Sequence, residues 1–109
     1  MALPCTPNSA FSMTEFVNAA RRVASACLGF LGEERYTLLE REARRGMAIF
    51  RLGIEVAPEE LRLPLRRAAA ALGLTLLHLK IGYSGEPGNS LRLCLRCLDE
   101  VETILTKAA

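Results

Sequence analysis

Near the end of the chain, apolar residues recur at alternating spacings of three and four. This spacing places side chains on one face of an α-helix and is typical of a helix that packs along other helices. It predicts a helix from Asn89 or Ser90 to about Lys107. No segment shows the sustained alternation of two that a strand requires. The sequence therefore predicts an all-α fold. The repeating residues are Leu91, Cys94, Leu98, Val101, Leu105 and Ala108.

Two further helices are predicted earlier in the chain, each between a start and a stop signal. The first begins at Ser12, which forms a capping box with Glu15, and ends at Gly32. The second runs from about Glu33 to Leu52 and is closed by Gly53. Acidic residues at its start and arginines toward its end interact favourably with the helix dipole.

A third helix is predicted after Ala57, where Pro58 and two acidic residues form a typical helix start. From Leu65 to Ile81 this segment is apolar nearly all round, which predicts the most buried helix of the fold. Pro64 lies inside it, and an internal proline removes a helical hydrogen bond. The sequence leaves open whether Pro64 kinks one helix or separates two.

Residues 1–11 have two prolines and no periodic pattern, so we expect a flexible N-terminal arm. Residues 12–109 then form one domain, an antiparallel four-helix bundle with short loops. Three of the predicted helices have apolar faces wider than one row. This is more apolar surface than the core of a domain of this size can bury. We therefore expect a homodimer formed through helices. The predicted apolar face for the dimer or another partner is Leu91, Leu98, Val101 and Leu105.

Charge gives only a weak indication of function. The net charge is +2, far below that of a dedicated nucleic-acid-binding domain. Twelve of the fourteen basic residues are arginine, whose planar guanidinium group binds phosphate or carboxylate through two hydrogen bonds. A GC-rich genome gives the same excess of arginine without any function, so both explanations stay open.

The arginines cluster on the predicted helices, and eight are candidate residues for binding a partner or RNA phosphates. On the second helix, neighbouring acids account for most of them, and Glu40 is placed to pair with Arg44. On the third helix few acids lie near Arg66 and Arg67, and on the fourth helix Arg92 opposes the helix dipole and is repelled by Arg96 one turn later. The candidates are Arg41, Arg44, Arg45, Arg62, Arg66, Arg67, Arg92 and Arg96.

Cys94 and Cys97 form a C-x-x-C pair, a spacing found in zinc sites and in redox motifs. A zinc site would also need Cys27 and His78, which lie on two other predicted helices. Because the pair lies inside an apolar row, the favoured interpretation is two small buried side chains. We therefore predict no metal and no cofactor.

The stretch Leu77–Lys80 resembles the phosphotransfer histidine motif of bacterial phosphorelay bundles, although Ile81 and Tyr83 depart from the small residues that follow it. A partly exposed structural role for His78 is the favoured interpretation. The chain also lacks a nucleophile elbow, an H-E-x-x-H motif and a phosphate-binding glycine loop. The sequence therefore predicts that the protein is not an enzyme.

The leading hypothesis is a non-enzymatic helical interaction module, such as an adaptor, chaperone or regulatory subunit, that binds a protein partner through an apolar face and arginines. The alternative is a dimeric RNA-binding protein whose arginines contact the phosphates of duplex RNA, as in some viral silencing suppressors that are small helical dimers. No stretch is long and apolar enough to cross a bilayer, and the first residues lack the pattern of a secretory signal. We expect a cytoplasmic protein that does not bind membranes.

Overall fold

The structure, a computed structural model, describes residues 12–82 and 86–108, and it contains four helices. In chain order these are α1 (Met13–Gly32), α2 (Tyr36–Val56), α3 (Glu59–Ile81) and α4 (Glu86–Ala108). No strand occurs among the described residues, so the all-α prediction is confirmed. The predicted arm, residues 1–11, lies outside the described part of the chain.

The four helices surround one core. Helix α1 packs against α2 and α4, and α3 packs against the same two helices, as in a bundle. The core draws fully buried side chains from every helix, including Val23, Phe50, Leu72 and Leu98. None of the four helices, within their described residues, is long and apolar enough to span a membrane.

Helix α1 starts as the capping pattern predicts, because the Glu15 amide donates to the Ser12 hydroxyl at 3.2 Å. The predicted start of α2 at Glu33 was three residues too early. The amide of Arg35 donates back to the Phe30 carbonyl at 2.8 Å, so residues 33–35 complete the end of α1. Glu34 there adopts a left-handed backbone with φ of 58°, which breaks the helix before Tyr36.

Gly53 does not end α2, contrary to the prediction. The helix continues to Val56, and Gly53 is buried within it. The aromatic ring of Phe16, on α1, covers this glycine so closely that a β-carbon there would overlap the ring. The same ring meets Phe50 edge-on, with ring centroids 6.0 Å apart. Gly53 is therefore a contact point between two helices rather than a helix stop.

Helix α3 is continuous, and Pro64 lies inside it. This settles the question that the sequence leaves open about this proline. Pro64 is buried against the core, so its ring contributes apolar contacts where its missing N–H removes a hydrogen bond. Helix α4 starts at Glu86, three to four residues earlier than predicted. Pro87 fits its first turn, where an N–H group has no helical acceptor.

We predict that Gly53→Ala destabilises the fold by about 1–3 kcal/mol, because the added methyl group overlaps the Phe16 ring. Gly29→Ala is the matched control, since a β-carbon at this α1 position meets no atom within 4 Å. The control should be neutral or stabilising by up to about 1 kcal/mol, as expected for alanine in a helix. Urea unfolding followed by circular dichroism measures both. Equal effects of the two substitutions would contradict this account of Gly53.

Candidate partner-binding face

The row predicted as the partner face on α4 is largely core. Leu91, Leu98 and Val101 are fully buried, and Leu105 is partly buried. This corrects the expectation that the row meets another chain. The regular spacing marks the row by which α4 packs inside its own bundle. Rows that pack within one chain and rows that pack between two chains follow the same helical repeat, so spacing alone does not distinguish them.

The exposed apolar surface lies instead on α3. Four of its large side chains are between 42% and 58% exposed. With the exposed Ala70, they follow one face of the helix from its second turn to its end. This set, which we call the α3 strip, is Leu63, Ala70, Leu74, Leu77 and Ile81.

Helix α3 is therefore apolar on two faces, and only one of them is buried. The inward row includes Leu61, Leu65, Ala68, Leu72 and Thr75. The outward row, residues 63, 67, 70, 74, 77 and 81, has the same spacing of four and three. The prediction that this helix is the most buried was wrong for its outward row. The sequence indicates an exposed apolar face through a second heptad row beside the first. It does not show which of the two rows faces the core.

The apolar surface continues from α3 onto α4. The hydroxyl oxygens of Thr75 and Ser90, both buried, lie 2.8 Å apart and fix where the two helices cross. Leu93 lies one turn after Ser90 on the same side of α4 and is 40% exposed. The candidate partner-binding face thus consists of the α3 strip and Leu93.

Arginines border this face. Arg66, Arg67 and Arg96 are exposed, and no carboxylate pairs with them among the described residues. Arg67 lies in the outward row itself, between Leu63 and Ala70. The three guanidinium groups therefore present positive charge beside exposed leucines, without the acids that neutralise most arginines on helix surfaces.

The pKa of the Cys97 thiol responds to arginines on both α3 and α4. Burial is the main cause that raises the pKa of the Cys97 thiol, and Glu100 adds to the rise. Arg67 on α3 and Arg96 on α4 act in the opposite direction and lower it. Both guanidinium groups are therefore near one thiol at the boundary between α3 and α4, with Glu100 as the nearby acid.

Two of the candidate arginines on α2 pair with acids on the same helix. Arg44 donates to Glu40 at 2.8 Å, as predicted, and Arg45 donates to Glu42 at 2.9 Å. Exposed pairs of this kind stabilise a helix only slightly. Arg41 is also exposed on α2, and no carboxylate pairs with it among the described residues.

Arg62 and Arg92 have structural surroundings that the sequence does not show. Arg62 donates through Nε to the Ala57 carbonyl at 3.1 Å, which secures the connection between α2 and α3. The Arg92 guanidinium group lies over the first turn of its own helix, close to Leu31 in the last turn of α1. Positive charge is favourable at the C-terminal end of a helix. Both arginines therefore have a role in the fold.

An ion-pair cluster joins α1 to α4. Arg21 donates to Asp99 and to Glu102, each at 2.6 Å. Sequence reasoning missed this contact, because the partners are about eighty residues apart and no local spacing links them. The cluster uses two acids of α4 on the side toward α1, so they are not available to Arg66 or Arg67.

The C-x-x-C pair has the surroundings of buried thiols. Cys94 is fully buried, and desolvation is the main cause that raises its pKa to about 12. The pKa of Cys27 is also raised to about 12, again chiefly by burial. The thiolate, which attacks disulfides and binds metal, is thus disfavoured at both positions. The described residues contain no group of three or more side chains suited to hold a metal ion.

We predict that Cys27 and Cys94 react very slowly with a disulfide reagent at about pH 8, because both thiols are buried and protonated there. The measurement uses the variant Cys5→Ser with Cys97→Ser, which leaves Cys27 and Cys94 as the two thiols of the chain. Reaction should become rapid in concentrated urea, and in the folded protein it should rise only as the pH approaches 12. Rapid labelling of the folded variant at both positions would show that the thiols are accessible and that this description is wrong.

An open groove of about 710 Å³ lies between the start of α2 and the end of α3. Its walls include Tyr36 and Arg44 on α2, and Leu77, His78 and Lys80 on α3. Arg44 is already paired with Glu40, also in the groove wall. Leu77 belongs both to this groove and to the α3 strip, so the apolar face continues into the groove at one end.

No protein-family model, curated protein or solved structure matches this chain. The geometry of the candidate partner-binding face is the remaining indication of function. That geometry combines an exposed apolar row with unpaired positive charge, an arrangement suited to binding an amphipathic surface.

Proposed function

We propose that this protein is a non-enzymatic helical interaction module that binds another protein through the α3 strip and Leu93. The observation that carries the proposal is the exposure of four large apolar side chains in one row on α3. Scattered exposed leucines are ordinary on protein surfaces. An apolar row of this length, interrupted by Arg67 and bordered by charged residues, is typical of a protein-binding site.

The bundle behind the strip gives it a rigid support. The inward row of α3 is fixed in the core by Leu65 and Leu72, both fully buried. In the proposed module each helix runs antiparallel to its neighbours. This is supported by the short connections at residues 33–35 and 57–58, and by the contact of Leu31 at the end of α1 with Gly88 at the start of α4. A rigid helix face binds with little loss of conformational entropy.

The homodimer and the cytoplasmic location expected from the sequence stay predictions. A dimer face on α4 is not available, because Leu91, Leu98 and Val101 are buried, so a second copy would have to use the α3 strip. Binding of duplex RNA also stays a prediction. It would rest on Arg66, Arg67 and Arg96, since the other arginines of α3 and α4 have roles in the fold.

Site-specific photo-crosslinking tests the proposed function in cells that express the chain. We expect Leu74→benzoylphenylalanine to give a discrete adduct with another protein. The matched control is Leu52→benzoylphenylalanine, since Leu52 is 67% exposed but lies on α2. The control should give no such adduct. Mass spectrometry of the adduct then distinguishes a different protein, a second copy of this chain and RNA.

The adduct at residue 74 should disappear when Leu63 and Leu77 are also changed to serine, because these substitutions remove apolar contact area from the same row. Circular dichroism of the variants checks that the fold is retained. No adduct at residue 74, or equal adducts at residues 74 and 52, would contradict a binding role for the α3 strip.

A further inference from the structure

We infer that the partner of the α3 strip is an acidic amphipathic helix, whose apolar residues lie on the exposed leucines and whose carboxylates pair with Arg66, Arg67 and Arg96. This inference rests on the proposed function and names the chemistry of its partner. It follows from three features of the face: its length, its shape and its charge.

The length and shape fit a helix. The strip extends over residues 63–81 of one continuous helix, about 27 Å at 1.5 Å per residue. Its residues are spaced by sevens, fours and threes, the repeat that matches the apolar row of a second helix. Leu93 on α4 is exposed beside this row, so the partner would contact both α3 and α4. Helix-in-groove recognition uses this geometry.

The charge fits an acidic partner. Arg66 and Arg67 lie near the N-terminal end of the α3 strip, about one turn after Leu63, and Arg96 lies on the adjoining side of α4. Glu100 is the acid close to this group, and it forms no ion pair with these arginines among the described residues. A binding helix with glutamate or aspartate beside its apolar row would supply the missing carboxylates, and guanidinium groups pair with carboxylates through two hydrogen bonds.

A second copy of the chain fits this charge less well. Residues 61–81 contain no aspartate or glutamate. Two copies of α3 laid along each other would therefore bring no α3 carboxylate to Arg66 or Arg67. Duplex RNA would satisfy the arginines but would leave the exposed leucines against a phosphate surface, which offers them no apolar contact.

Two designed peptides test the inference with the full chain. Both are helical peptides of about twenty residues with the same leucine row; one has glutamate beside the row, and the other has lysine at the same positions. We expect the acidic peptide to bind at least about tenfold more tightly in fluorescence anisotropy, since three favourable charge pairs replace three repulsive ones. Its affinity should fall as salt increases, because the pairs are exposed.

Charge reversal on the protein provides the second measurement. The double substitution Arg66→Glu with Arg67→Glu should reverse the preference, so that the lysine peptide binds more tightly. The matched control is Arg41→Glu with Arg51→Glu, which changes the net charge equally at two exposed positions on α2. The control should keep the preference for the acidic peptide, which separates a local effect from an effect of net charge.

The outcomes separate this inference from the proposed function. If the acidic and the lysine peptide bind equally and Leu74→Ser abolishes the binding of both, the preference for an acidic partner is overturned. The α3 strip would still be a docking face. If neither peptide binds, the acidic helix is overturned, and the photo-crosslink at residue 74 decides the proposed function separately. If the protein self-associates and Leu74→Ser abolishes this association, the occupant is a second copy of the chain.

If the protein shifts duplex RNA in a gel and the double substitution Arg66→Glu with Arg67→Glu abolishes the shift, the partner is RNA. Either result would overturn the inference.

Discussion

The close contact between α1 and α2 determines which surfaces of this protein are left exposed. Two glycines in α2 allow it. The Phe16 ring covers Gly53, and a β-carbon at Gly46 would lie 2.7 Å from Val23 and 2.8 Å from Leu72. Because Val23 is on α1 and Leu72 on α3, three helices meet at Gly46. This contact fixes the inward row of α3, so its second apolar row faces outward.

The sequence was sufficient to predict the all-α class, the capped start of α1 and the ion pair between Glu40 and Arg44, because each depends on residues within about one turn of each other. It was not sufficient to predict which row of α3 is buried. The rows that start at Leu61 and Leu63 have the same spacing and similar composition, and only the positions of the neighbouring helices distinguish them. The role of Gly53 likewise depends on the distant Phe16.

The contacts of the arginines could likewise be predicted only where the partner is close in sequence. Local spacing correctly paired Arg44 with an acid, but it did not show that Arg62, beside its i,i+3 pair with Glu59, also donates to the Ala57 carbonyl. It also missed Arg21, whose carboxylate partners are on α4. Arg41 on α2 also forms no ion pair among the described residues, but on α3 and α4 the arginines left without such contacts are Arg66, Arg67 and Arg96. These are also the arginines that border the exposed leucines, so the apolar and the charged signals converge on one face.

The most direct test of this account compares two leucines of α3 that differ in the direction they face. Leu72 is fully buried and Leu74 is 42% exposed. The free energy of unfolding of the isolated protein should fall by about 2–5 kcal/mol in Leu72→Ala, because a cavity forms in the core. It should change by less than about 1 kcal/mol in Leu74→Ala, as expected at a surface position. An equal loss in the two variants would show that the outward row holds the fold together and is not a surface kept for a partner.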